Sequence, residues 1–253
     1  MKKLKAAIQY ECITSLKYIC VYYLALGAVL AVYFTISHLL EFKFWNICLE
    51  MNTMILVGII GILHLQEDFR MLLQNGFTRT CIFLAAIVHF AFIAGMLSMV
   101  DTAAGIVLRR LLPGSYDTIF GSLYGYHHQI VSGWLWLFLV YLLISSLGFF
   151  FALAFGRMQK KFSVFAGTIL VALFVVCIPS LFAAVSAPWE DLRHRVLIFA
   201  VRCFGFMADD TVRLANPIFL MFLCIGILSA GSYLFIRRIE LNRTAGKTSC
   251  LSL

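Results

Sequence analysis

Residue types capable of catalysis or ligation are sparse in this chain. His127-His128 offers two neighbouring imidazoles, but no third metal ligand stands at a usable spacing, so the pair reads as part of a surface loop. The segment Gly246-Lys247-Thr248-Ser249 ends like a phosphate-binding loop. That motif needs a glycine five positions before Gly246, where the chain has Leu241, together with a preceding strand and a following helix. Eight cysteines occur without a C-x-x-C pair, and most lie in or beside apolar runs, where a thiol behaves as a small hydrophobe. A Cys48–Cys203 disulfide is left open by sequence, which does not fix the separation of their Cα atoms. His89 and Glu50 are the remaining candidates. Each stands alone in an apolar run, and His89 reads first as a hydrogen-bonded residue between helices.

The elements that would position these residues are membrane helices. The chain has 253 residues, 62% hydrophobic and 13% charged, with 24 Phe. Its mean hydropathy is +0.96. Soluble domains carry roughly 25% charged residues. The +8 net charge would suggest nucleic acid in a soluble protein, but no basic groove with interleaved aromatics is present. No nucleic-acid partner is expected, and the lipid bilayer is.

A helix needs about 20 apolar residues to cross the hydrocarbon core, and helices satisfy their own backbone there. Six segments qualify: 19–37, 45–63, 80–100, 130–155, 162–187 and 215–236. The first lacks a small-x-small cleavage pattern and is read as a span. Four of the six contain no Asp, Glu, Lys, Arg or His, and the other two hold only Glu50 and His89. Intramembrane catalysis needs paired groups at one depth. No catalytic residue and no metal site are therefore expected.

Six spans place both termini on one face. That face would carry thirteen of the 20 Lys and Arg: Lys2, Lys3, Lys5, Lys17, Arg70, Arg79, Arg157, Lys160, Lys161, Arg237, Arg238, Arg243 and Lys247. The excess marks it as cytoplasmic. Trp45, Trp134, Trp136 and Trp189 all fall at the opposite ends of the spans, as interfacial tryptophans should. Arg109-Arg110 is discordant, since it falls in a long outer stretch, 101–129. The expectation is a multi-pass protein of the cell membrane with both termini cytoplasmic.

Four further segments do not span. Residues 1–17 place Leu4, Ile8, Cys12, Ile13 and Leu16 on one face, flanked by lysines, which predicts an interfacial amphipathic helix. The outer segment 188–214 includes VLIFAVRCFGFM, which reads either as a re-entrant piece or as a surface helix. Residues 237–253 form a basic cytoplasmic tail. Between spans two and three, Leu65, Phe69, Leu72 and Leu73 recur with helical spacing. Asn75-Gly76 would close this short helix, placed at 64–76, and Thr78 would cap the next one. Its apolar face needs a cover, either its own bundle or a groove on a partner.

The whole layout resembles the membrane subunit of a type-2 ATP-binding-cassette exporter. It has an amphipathic start, six spans, a short helix between spans two and three, a longer outer segment between spans five and six, and a basic tail. QEDFRMLLQNGFTRTCIF resembles the acidic, Leu-Gln-Asn-Gly, aromatic, Arg segment of small bacterial permeases of that family. It departs at Thr80, where a second basic residue is expected after Arg79. NPIFLMFLCIGILSAGSYLFIRR resembles their last span.

The resemblance implies an all-α integral membrane fold whose short cytoplasmic helix is a coupling helix. Glu67, Asp68, Phe69, Arg70, Leu73, Gln74, Asn75 and Gly76 would dock into a separate ATPase subunit. ATP and Mg would bind that partner, and this chain would hold no cofactor. Two permease subunits, identical or homologous, would work together. The few charges in the spans suggest an amphipathic or lipophilic cargo, such as a peptide or a lipid-like compound. Two alternatives stand beside this. A secondary carrier predicts ionisable residues at the midplane and repeat symmetry. A non-transporting immunity or sensor protein can share the architecture.

Overall fold

The computed structural model describes residues 2–40, 49–66, 68–111, 116–125, 129–155, 195, 198–199, 201–207 and 212–237. The expected span 162–187, the tail beyond Arg237, Glu67, Trp45, Cys48 and His127-His128 lie outside the described residues. Among the described residues the structure is helical: α1 (Lys2–Leu40), α2 (Leu49–Gln66), α3 (Asp68–Gln74), α4 (Arg79–Leu111), α5 (Ile119–Tyr124), α6 (Ile130–Phe155) and α7 (Ala215–Arg237). Four of these are long and apolar enough to cross a membrane: Leu4–Val32 of α1, Arg79–Arg110 of α4, α6 and α7. The apolar stretch of α2, Leu49–His64, is shorter.

Helix α6 is the centre. It bears no charge and packs against α2, α4 and α7. The α2–α6 crossing is made close by small residues. A Cβ added at Gly148 would sit 2.6 Å from the Gly58 carbonyl oxygen, and one at Gly61 would collide with the Ser145 carbonyl. Small residues at such crossings let backbones approach, and packing is what holds helices together in lipid. The outer faces stay apolar, with Leu24, Val29, Phe219 and Ile227 exposed, as suits a hydrocarbon surround. The core has two clusters. One, around Leu97, Phe120, Trp136, Leu139 and Tyr141, lies toward α5. The other, around Leu72, Ile82, Phe90, Phe149 and Leu153, lies toward α3.

Three expectations are corrected. Residues 1–17 do not form a separate interfacial helix. Helix α1 runs unbroken from Lys2 to Leu40, with no proline or glycine before Gly27 to interrupt it. Its inward stripe is Ala7, Glu11, Ser15 and Ile19, an i, i+4 series, while Ile13 and Leu16 face outward. The helix that holds the expected third span does not stop at residue 100. Helix α4 continues to Leu111, about 50 Å at 1.5 Å per residue, so its last turns project past a core of about 30 Å. That extension carries the discordant Arg109 to Asp117, its ion-pair partner at 2.6 Å. The short helix does not begin at 64. Helix α2 runs on to Gln66, and α3 starts at Asp68.

Between α4 and α6, Glu50 and Thr118 cap α5. Glu50 Oε2 accepts from the Ile119 N–H at 2.6 Å, and Thr118 Oγ1 from the Gly121 N–H at 3.0 Å. Gly125 closes α5 in the left-handed region, φ 70°. Tyr124 then donates to the Phe204 carbonyl at 3.1 Å and stacks on Phe206. Burial pushes its phenol up from the ordinary tyrosine range. Within the outer segment 188–214, Phe206 and Val212 form an isolated antiparallel bridge.

Candidate functional site

Two regions of the bundle carry polar side chains in positions that ordinary packing does not require. The first is the α3 junction. Leu72 is 3% exposed and sits in the core cluster with Ala7, Ile82 and Phe90, with Met71 and Leu73 packed beside it. The apolar face of α3 is thus covered in part by its own bundle. The Phe77 N–H bonds the Leu72 carbonyl and the Gly76 N–H the Leu73 carbonyl, both at 3.2 Å, with Gly76 at φ 75°. This is a Schellman closure. Thr78 Oγ1 accepts from the Cys81 N–H at 3.3 Å and starts α4. Arg79 donates to the Arg237 carbonyl at 2.8 Å, setting a cation on the carboxyl end of α7.

The sequence-derived contact residues therefore divide. Leu73 is half-buried, and Gln74, Asn75 and Gly76 are exposed at the tip. Asp68, Phe69 and Arg70 are placed by their backbone in the first turn of α3. Glu67 is outside the described residues.

The second region is inside the bundle, and sequence reasoning missed most of it. Glu11 of α1, His64 of α2 and His89 of α4 meet in one buried cluster. His64 Nε2 lies 4.0 Å from Glu11 Oε1, and His89 Nδ1 lies 4.0 Å from Glu11 Oε2. The other nitrogen of His89, Nε2, is hydrogen-bonded to Ser15 Oγ. The two imidazoles are 5.2 Å apart by ring centroid, and His64 packs edge-on against Phe90 and Phe149. His89 is thus hydrogen-bonded, as expected, but it is not alone.

Toward α5, Asp101 of α4 is fully buried. It accepts from the Tyr23 hydroxyl at 2.7 Å and from the Tyr141 hydroxyl of α6. Tyr22 and Thr53 are hydrogen-bonded at 3.2 Å nearby. The expectation that the membrane runs hold only Glu50 and His89 as ionisable groups is therefore corrected: Glu11, His64 and Asp101 join them inside the bundle. Helical spacing was the available signal. Glu11 and Ser15 continue the i, i+4 stripe that ends at Ile19, and Asp101 is followed by Thr-Ala-Ala rather than by turn residues.

A small, partly open recess lies between α4, α6 and α7, lined by Phe83, Phe90, Leu142, Phe149, Ile225 and Ser229 among others. It shares Phe90 and Phe149 with the walls around His64. The arrangement offers one carboxylate with two imidazoles, a second carboxylate held by two phenols, and an apolar recess beside the first. Comparison of the chain with protein-family models, curated proteins and solved structures finds no match.

Proposed function

We propose that this chain is the permease subunit of an ATP-driven exporter, working as a dimer at the cell membrane with both termini cytoplasmic. The observation that carries the reading is α3. It is a short helix between two long ones, anchored at Leu72 and closed at Gly76, with Gln74-Asn75-Gly76 presented outward. Such an element is too short to be stable alone and owes its shape to the bundle. A push on its tip is therefore passed to the core around Phe90 and Phe149 through Leu72. The ATPase is a separate subunit that binds ATP and Mg. The recess between α4, α6 and α7 suits a lipophilic or amphipathic cargo that enters from the lipid side.

The test is co-purification from the native host in mild detergent. A soluble ATPase should accompany the chain in stoichiometric amount and be lost in Asp68→Arg and in Gln74→Arg while the bundle remains folded. A stable, monodisperse chain with no ATPase in any detergent defeats the reading.

The second reading is an ion-coupled carrier, favoured by Glu11 and Asp101 inside the bundle. Intramembrane carboxylates commonly mark ion paths. Transport driven by a proton gradient in ATP-free vesicles would select it.

A further inference from the structure

The geometry points to a divalent transition-metal site, of the zinc class, formed by Glu11, His64 and His89. Three separate helices, α1, α2 and α4, each supply one ligand-bearing side chain to one spot, and their ligand atoms all lie within 4.8 Å of one another. The side chains of all three are 0–3% exposed. Two imidazoles and a carboxylate are a donor set that suits zinc, iron and their neighbours in the first transition row, and not magnesium or calcium. The set also resembles catalytic zinc sites in number, with three protein ligands and a fourth position left for water.

The spacing fits an ion lodged among the three. At 4.0 Å, each approach between Glu11 and an imidazole nitrogen is wider than a direct hydrogen bond. Ligands about 2.0–2.1 Å from a tetrahedral zinc stand roughly 3.4 Å from one another. The three ligand atoms, all within 4.8 Å of one another, would draw together around the ion.

The surrounding contacts orient the rings. Ser15 engages Nε2 of His89, which directs Nδ1 to Glu11. A metal-bound histidine ordinarily gives its other N–H to such a partner, which fixes its tautomer. Phe90 and Phe149 pack against the His64 ring and limit its rotation. The ion would join α1 to α2 and α4, and the one carboxylate would meet half of its charge. The site adjoins the core around Leu72 through Phe90 and Phe149, but the inference does not depend on the exporter reading. A metal can be measured on the chain with no ATPase present.

The experiment uses the full chain, purified in detergent without a polyhistidine tag, stripped with chelator and titrated with zinc. Bound metal is counted by elemental analysis, and cobalt(II) serves as a spectroscopic probe. One equivalent per chain is expected, with a tetrahedral-type cobalt spectrum and a higher melting temperature in zinc. Glu11→Gln, His64→Gln and His89→Gln should each abolish stoichiometric binding. Ser15→Ala should weaken it about tenfold while retaining the spectrum. The double variant His127→Ala/His128→Ala should bind as the parent does. Helix content and elution volume confirm that each variant is folded. Absence of stoichiometric metal in the folded parent overturns the inference and leaves a Glu–His cluster that holds no ion. Unchanged binding in the folded Glu11→Gln/His64→Gln/His89→Gln triple variant overturns it equally.

Discussion

Tyr23 of α1 donates its hydroxyl hydrogen to Asp101 of α4 across 2.7 Å, linking positions 78 residues apart in the chain. Tyr141 of α6 donates to the other oxygen of the same carboxylate. Three helices are thereby tied at one fully buried residue. Leaving a buried acceptor short of a donor is costly.

Tyr141→Phe removes one donor and keeps the ring. It should destabilise the bundle by about 1–3 kcal/mol. Asp101→Ala in the Tyr141→Phe background should cost less than the two single changes added together, because the carboxylate to be satisfied is gone. Reversible unfolding of the four proteins in one detergent gives this comparison. Strict additivity would mean that the two side chains are not coupled.

Gly148→Leu should separate α2 from α6, because even a Cβ at this position meets the Gly58 carbonyl oxygen at 2.6 Å. A loss of about 1–3 kcal/mol is expected from overpacking. Gly27, where an added Cβ meets nothing within 4 Å, is the control, and Gly27→Leu should be far milder. Equal melting temperatures for both variants would contradict the close crossing.

Gly76→Ala tests the α3 closure. Its φ of 75° lies in the left-handed region, where a side chain costs about 1–2 kcal/mol. Gly76→Asn should be milder, since asparagine tolerates that region. Amide exchange should accelerate locally, over Met71–Phe77, while α6 stays protected. Uniform acceleration throughout the bundle would show that α3 is no separate element.

Thr118→Ala removes the hydroxyl that caps α5 and should cost about 1 kcal/mol. Glu50→Ala removes the second acceptor at the same helix start. The paired variant should free Tyr124 from Phe204, which a tyrosine fluorescence change can follow once α5 loosens. Retained Tyr124 environment in the folded double variant would assign α5 its position by side-chain packing alone.

Much of the fold was legible from local pattern. The charge-free run 130–155 became α6 with the same bounds, and 215–236 became α7 with one residue added. Apolar length fixes such elements, because an uninterrupted apolar run has only helix available to it in lipid. The turn at Asn75-Gly76 and the cap at Thr78 were equally readable, since Gly and Thr act there through their own backbone and hydroxyl.

The buried polar groups were not legible, for a physical reason. In a hydropathy count an ionisable residue marks the membrane boundary, so Asp101 closed the third span and Glu11 was left on a surface helix. A carboxylate can stand inside when donors reach it, and the donors of Asp101 come from α1 and α6, at sequence separations of 78 and 40. His64 reads as the first residue of the short helix between spans two and three until α2 is seen to continue to Gln66. By itself, the sequence determined that the chain builds apolar helices, and approximately where they turn. Which polar residues those helices enclose was decided only by their packing, because burial of a charge depends on partners that no local stretch contains.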